Sequence, residues 1–484
     1  MTKQRELTRV SHHTKIVATL GPASNDLETL EHMIRVGLNV VRLNFSHGTP
    51  EIHQENAQRV REASERAGRE VAIIADLQGP KIRVGKIENG KIELKEGDAL
   101  ILDAALQGEG NQKRIGLDYR DLPKDVNAGD VLLLDDGLLT LVVSHVEEDE
   151  IHTIVQNDAI LKSNKGINKQ GGGLSAAALT DKDHQDLKTA VAIGADYLAI
   201  SFVKSGADME LARQLVAQAA SGGQQPGLIA KIERTEAITN LEEIIKASDG
   251  VMVARGDLAV EVGNPAVPAL QKIIIKKARE MRRFTITATQ MMESMITNPV
   301  PTRAEVSDVA NAVLDGSDAV MLSAETAVGL YPFETIRTMA LVCAAAEQAQ
   351  DPLTSADVQV QSSKRIDHTI ASGAVFTARQ LNAKAIIALT ESGSTAFQIS
   401  RFGINVPIYA LTSNKLVQRK MCMYRGVRPL MLDISKDHHI GISEAESYLQ
   451  WRGVLNSGDL YVITSGINMG QPGSTNTLQI VRAN

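Results

Sequence analysis

At 484 residues the chain is too long for one ordinary domain and has room for about three. Its 51 Lys and Arg against 58 Asp and Glu leave a formal charge of −7, which removes the main electrostatic reason to bind nucleic acid or an acidic membrane surface. Two cysteines in different predicted domains exclude a disulfide framework, and with no apolar run of signal-peptide or membrane-spanning length the chain reads as a soluble, cytoplasmic protein.

From Thr14 onward, short apolar runs alternate with helical patterns: KIVATLG (Lys15–Gly21), VVRLNFSHG (Val40–Gly48) and VAIIADLQG (Val71–Gly79). The spacers predict helices, the first capped by Asn25 and stopped at Gly37, the second closed by Gly68. After Arg83 the pattern becomes β-rich and helix-free to about Leu161, with hairpin signals at Asn89-Gly90 and Asp136-Gly137. A small β-barrel domain is inserted there, over residues 84–178. Its return carries Gly171, Gly172 and Gly173, which suit a hinge better than a phosphate cradle because no strand-to-helix context surrounds them.

At Thr180 the rhythm resumes with DYLAISFV (Asp196–Val203), LIAKIE (Leu228–Glu233), GVMVARGD (Gly250–Asp257), FTITATQ (Phe284–Gln290) and AVMLSAETA (Ala319–Ala327). Eight βα units over residues 1–83 and 179–350 argue for a closed (β/α)8 TIM barrel. Arg42, Asn44, Ser46, Asp76, Ser201, Lys231, Glu233, Asp257, Thr289 and Ser323 all fall at or just past the carboxyl end of a predicted strand, where such barrels build their sites. Beyond the polar linker PLTSADVQVQSS, residues 351–484 read as a C-terminal α/β domain with an open, largely parallel sheet whose strand order stays open.

Glu233 and Asp257 are hard oxygen ligands aimed at one crevice and suit Mg²⁺ or Mn²⁺, although two salt-bridged strand ends would look the same. Lys231, Arg42 and Arg83 add the positive charge that phosphoryl transfer needs, or serve as ion-pair partners for nearby acids. Thr302 and Glu305 form a capping box, and Met291, Met292 and Met295 read as core. In the last domain TESGST, with Thr390, Ser392, Gly393, Ser394 and Thr395, is either a phosphate pocket or an ordinary helix cap.

VVRLNFSHG, DLQGPKIR, KIERTEAI, MVARGDLAVE, the long run ATQMMESMITNPVPTRAEVSDVANAVLDGSDAVMLSAETA and the terminal GSTNT, in this order, resemble the pyruvate kinase family from Thr14 to the C-terminus. The resemblance implies transfer of a phosphoryl group from phosphoenolpyruvate to ADP, giving ATP and pyruvate, in a homotetramer. Carried over, Glu233 and Asp257 resemble the metal ligands, and Lys231 resembles the lysine beside the moving phosphoryl group. Arg42 and Arg83 resemble phosphate contacts, and Asn44, His47, Arg83 and Lys182 resemble the nucleotide side. The backbone from Ala254 through Arg255 and Gly256 to Asp257 resembles the grip on the substrate carboxylate, with the Arg255 side chain read as a structural ion-pair partner. Thr289 resembles the threonine on the face where the enolate is protonated, and Ser323 is placed in the substrate pocket.

One departure stands out. Many members bind K⁺ through an Asn, a Ser, an Asp and a Thr and carry a Glu after a Gly-Pro pair; here Asn44, Ser46 and Asp76 remain, Leu77 replaces the Thr and Lys81 replaces the Glu. The Lys81 ammonium takes over the cation's electrostatic role, so activity without K⁺ is expected. The TESGST loop resembles the family's activator phosphate site, but SGINMGQPGST lacks the Trp-Arg pair of bisphosphate-regulated members, so a phosphorylated sugar or a nucleoside monophosphate is the expected activator. A metal-dependent carbon–carbon or carbon–phosphorus enzyme and a non-catalytic sugar-phosphate sensor are the competing classes.

Overall fold

The computed structural model describes residues 10–349, 365–435, 437–468, 470 and 473–484. Among them, eight parallel strands close into a barrel: β1 (Lys15–Thr19), β2 (Val40–Asn44), β3 (Ala72–Asp76), β4 (Tyr197–Ile200), β5 (Gly227–Ile232), β6 (Gly250–Ala254), β7 (Phe284–Ala288) and β8 (Ala319–Leu322), with β8 paired back onto β1. Seven lie inside runs that the sequence marks as strands, and β5 begins one residue before its run, at Gly227.

These strands are apolar on both faces because both are covered. Val17, Val40, Ile74, Ile229, Met252 and Ile286 fill the interior, while Ile16, Val41, Ile73, Leu228 and Val251 pack outward under the helices. Gly250 is required by the inner layer, since a Cβ there would lie 2.2 Å from the Phe284 ring. The helices between strands start and stop on local signals. Asp26, one residue past the expected Asn25, caps the first, its Oδ1 accepting the Thr29 N–H at 2.9 Å; Gly37 and Gly68 close the first and second.

Between β3 and β4 the chain leaves the barrel to build a six-stranded sheet and a two-stranded ribbon around one apolar core. The turn at Asp136-Gly137 joins antiparallel strands Val131–Leu134 and Leu139–Glu147 as expected. Asn89-Gly90 is a tight turn but closes no hairpin: Lys91–Leu94 pairs instead with Ala159–Lys162, because the residues before the turn bridge to Gly110, Leu117 and Gly166. A one-turn helix at Leu122–Asp125 also interrupts the stretch read as helix-free.

The C-terminal sheet contains β9 (Ala385–Leu389), β10 (Ile408–Thr412), β11 (Val427–Met431), β12 (Leu460–Gly466) and β13 (Thr475–Arg482), in the order β11-β10-β9-β12-β13, with β13 antiparallel at the edge. The predicted linker PLTSADVQVQSS lies outside the described residues. This domain docks under the amino ends of the barrel strands. Cys422 and Met423 join the barrel's inner core, the Tyr197 hydroxyl donates to the Lys420 carbonyl at 2.8 Å, and the Arg401 guanidinium pairs with Asp318 at the foot of β8 at 2.8 Å. The opposite, carboxyl-end mouth is left open to the inserted domain.

Candidate active site

Strand alternation builds the site. Inward positions run Val40, Arg42, Asn44 on β2; Ala72, Ile74, Asp76 on β3; and Ile229, Lys231 on β5, continuing to Glu233. Each inner face thus begins apolar and ends polar, and parallel register puts the polar ends in one layer, Asn44 level with Asp76.

At the centre, Lys231 Nζ lies 2.9 Å from Glu233 Oε1 and 3.3 Å from Asp76 Oδ1, and donates to Ser201 Oγ at 2.7 Å. Arg42 Nε meets Asp76 Oδ2 at 2.6 Å, and Arg42 Nη1 donates to Thr19 Oγ1 at 3.0 Å. Burial alone would lower the Lys231 ammonium, but Asp76 and Glu233 outweigh it and hold this pKa above the usual lysine range. Burial would likewise raise Asp76, yet Lys231 and Arg42 keep it below the usual carboxylate range. Glu233 titrates above its ordinary value: burial, reinforced by Asp257, exceeds the pull of Lys231.

Glu233 Oε2 accepts the Phe202 N–H at 2.7 Å, whereas buried Oε1 has no hydrogen-bond partner among the described residues and faces Lys231 as an ion pair. An anionic oxygen left open beside Asp257, on the first turn of the helix Arg255–Val262, fits a hard divalent cation.

Arg255 is tied into the wall. It donates to the Ala288 and Thr289 carbonyls at 3.2 and 2.6 Å and pairs with Asp308 at 2.7 Å. These bonds brace Thr289 and Gln290, both left-handed, at φ 69° and 52°. The Thr289 hydroxyl donates to the Ala288 carbonyl and accepts the Gly256 N–H at 2.9 Å. The Ser323 N–H donates to Glu325 at 2.6 Å.

Lys182, on the helix after the inserted domain, donates to the Phe45 carbonyl at 2.7 Å and pairs with Asp186, which brings it to the Asn44–His47 turn; His47 itself is exposed. Among the described residues no hydrogen bond or ion pair joins Arg83 to the Lys231 cluster; its peptide N–H donates to Asp118 of the inserted domain. Leu77 is buried, and its carbonyl accepts from Ser201 Oγ at 2.6 Å. Lys81 lines a small cleft with Phe202, Arg234, Asp257 and Glu261. Thr302 and Glu305 form the expected capping box, and the three methionines are buried. In the C-terminal domain, Thr390, Ser392, Ser394 and Thr395 line a cavity of about 290 Å³ beside Ser413 and Thr475. Residues 469 and 471–472 of SGINMGQPGST lie outside the described residues.

The sequence reading missed Glu261. It sits beneath the inserted domain, accepting the Thr235 N–H at 2.8 Å with Arg234 3.8 Å away, and its peptide carbonyl takes the Gly171 N–H. Burial pushes this carboxyl up to about 7. The folded state therefore binds the proton more tightly than the unfolded chain, so the stability this group contributes is complete below its ordinary 4.5 and is lost as pH rises through about 7. Relative to Glu261→Gln, the wild-type melting temperature should fall across that window; parallel melting curves for the two proteins would refute the assignment.

A family profile described as "Pyruvate kinase, barrel domain" matches residues 11–336, and one described as "Pyruvate kinase, alpha/beta domain" matches residues 368–481. Pyruvate kinase II of Salmonella typhimurium is 50% identical over 98% of this chain and 99% of its own. A pyruvate kinase of Haemophilus influenzae is 48% identical over 95% of this chain and 97% of its own. The crystal structure of a pyruvate kinase from Cryptosporidium parvum superposes with a TM-score of 0.92 at 38% identity, covering 98% of this chain and 96% of that one.

Proposed function

The chain belongs to the pyruvate kinase family and is a phosphotransferase, and from that premise we propose that its barrel mouth moves the phosphoryl group of phosphoenolpyruvate to ADP. The observation that carries this reading is the largely enclosed Lys231 ammonium, fixed by Glu233, Asp76 and Ser201 with Arg42 alongside. The phosphorus–oxygen bond to the enol oxygen breaks, a bond to the β-phosphate oxygen of ADP forms, and the enolate takes a proton at carbon to give pyruvate. Lys231 stays protonated throughout and neutralises the phosphoryl and enolate oxygens. Arg42 and Arg83 hold the phosphate, and the helix start from Ala254 to Asp257, together with Ser323, receives the carboxylate. Asn44, His47, Arg83 and Lys182 face the nucleotide. Thr289, whose hydroxyl is too weak an acid to act alone, orders the water that protonates the enolate.

Glu233 and Asp257 would hold Mg²⁺ or Mn²⁺, which when bound supplies Lewis-acid charge stabilisation to the shared oxygens. For K⁺ the reading is negative: Asp76 is already matched by Arg42 and Lys231, the place of the missing threonine is a buried leucine, and Lys81 adds a positive charge at the rim. Full activity is expected in tetramethylammonium buffer without K⁺, and Lys81→Glu should make the rate K⁺-dependent; a strict K⁺ requirement in the wild type would overturn this.

We read the domains as 1–83 with 179–350, 84–178, and 351–484, with the middle one acting as a lid. The Thr390–Thr395 cavity is assigned to a phosphorylated sugar or nucleotide activator, the assembly to a homotetramer and the location to the cytoplasm. Among the described residues no helix is long and apolar enough to cross a membrane. ADP-dependent pyruvate formation from phosphoenolpyruvate, coupled to NADH oxidation by lactate dehydrogenase, tests the function. No turnover would favour a sensor, and consumption of phosphoenolpyruvate without ADP would favour a carbon-bond enzyme.

A further inference from the structure

The outer face of the lid carries a cluster that phosphoryl transfer does not use. His145 and Glu147 lie on the strand Leu139–Glu147, and His152 lies opposite His145 on Glu150–Val155; the three offer ligand atoms within 4.8 Å of one another. A β-bulge creates this arrangement. Leu139, Leu141 and Val143 point into the lid core, and strict alternation would send His145 and Glu147 after them. The register shift between Val143 and His145 makes Ser144 an extra residue, so Val146 packs inward while His145 and Glu147 turn out beside His152. The two imidazoles stack at 4.2 Å.

Hydrogen bonding prepares the His145 ring. Ser144 Oγ spends its one proton on the His152 carbonyl at 2.9 Å, so towards His145 Nδ1, 3.2 Å away, it must accept. Neutral His145 therefore carries its proton on Nδ1 and leaves Nε2 with a free lone pair, the arrangement a ligating histidine needs. His152 Nε2 is shielded from solvent and has no hydrogen-bond partner among the described residues; Glu150 Oε2 lies 3.3 Å away without hydrogen-bond alignment.

We propose that His145, His152 and Glu147 form a transition-metal site on the lid hairpin. Two imidazoles and one carboxylate with an open position select a borderline cation such as Zn²⁺, Ni²⁺ or Cu²⁺, whereas the oxygen-only pair Glu233 and Asp257 selects Mg²⁺ or Mn²⁺. Closing the ligand atoms from within 4.8 Å to coordination contact calls for side-chain rotation at exposed His145 and Glu147 towards half-buried His152, and would clamp the two hairpin strands together.

The full-length protein, stripped with EDTA and then saturated with Mg²⁺, is titrated with Zn²⁺ by calorimetry and with Cu²⁺ by electron paramagnetic resonance. One site per chain and superhyperfine coupling to two nitrogens are expected. H145A/H152A should abolish both while leaving circular dichroism and melting temperature in Mg²⁺ unchanged. Ser144→Ala, which releases the His145 tautomer, should weaken Zn²⁺ by about tenfold. Absence of Zn²⁺ binding, equal binding in H145A/H152A, or coupling to fewer than two nitrogens would each overturn the assignment.

Discussion

Lys231→Met should lower kcat by about 10³ to 10⁵-fold while the KM for phosphoenolpyruvate changes by less than about tenfold. Methionine keeps most of the side-chain stem but removes a cation that touches Glu233, Asp76 and Ser201 together. Losing a point charge used mainly as negative charge redistributes onto the transferring oxygens lowers kcat and kcat/KM alike, whereas losing a ground-state contact would raise KM alone. Asp76 keeps Arg42 at 2.6 Å, so the barrel mouth retains one of its ion pairs and folding can be checked by melting temperature. A rate within tenfold of wild type in the folded variant would remove Lys231 from the mechanism.

Glu233→Gln should raise the Mg²⁺ concentration for half-maximal rate by at least about a hundredfold, with a matching loss of Mn²⁺ affinity by electron paramagnetic resonance. The amide can still accept the Phe202 N–H through one oxygen, so the local backbone is preserved. The other position, now an NH₂, faces the Lys231 ammonium donor to donor and offers no negative charge to a cation. Unchanged Mg²⁺ dependence would show that Glu233 is only the ion-pair partner that spacing alone also allowed.

The two substitutions also show how much of the site could be read in advance. Lys231 and Glu233 are two positions apart at the end of a predicted strand, so a period-2 pattern already places them on one face. Thr302 with Glu305 was legible as a cap because its hydrogen bonds close within one turn. Asn89-Gly90 misled because turn chemistry is local but strand pairing is not: the partner of Lys91–Leu94 comes from Ala159–Lys162. Glu261 carried no signal, since its elevated pKa arises from burial under a domain inserted far away in sequence.

Sequence by itself determined what depends on nearest neighbours: the eight strands, their apolar-then-polar inner faces, the caps, and the ordered motifs that carry the family resemblance. Tertiary structure alone decided who meets whom. Pairing of β3 with β4 across the inserted domain, and of β4 with β5, brings Asp76 and Ser201 onto Lys231, and the β6–β7 register lets Arg255 brace the left-handed Thr289 turn. Docking of the C-terminal domain seals the barrel floor with Cys422 and Met423, and one extra residue, Ser144, turns two lid side chains outward. The physical reason is common to all four: backbone propensity and alternation act over a few residues, whereas ion pairing, burial and register are fixed only when segments distant in the chain share a boundary.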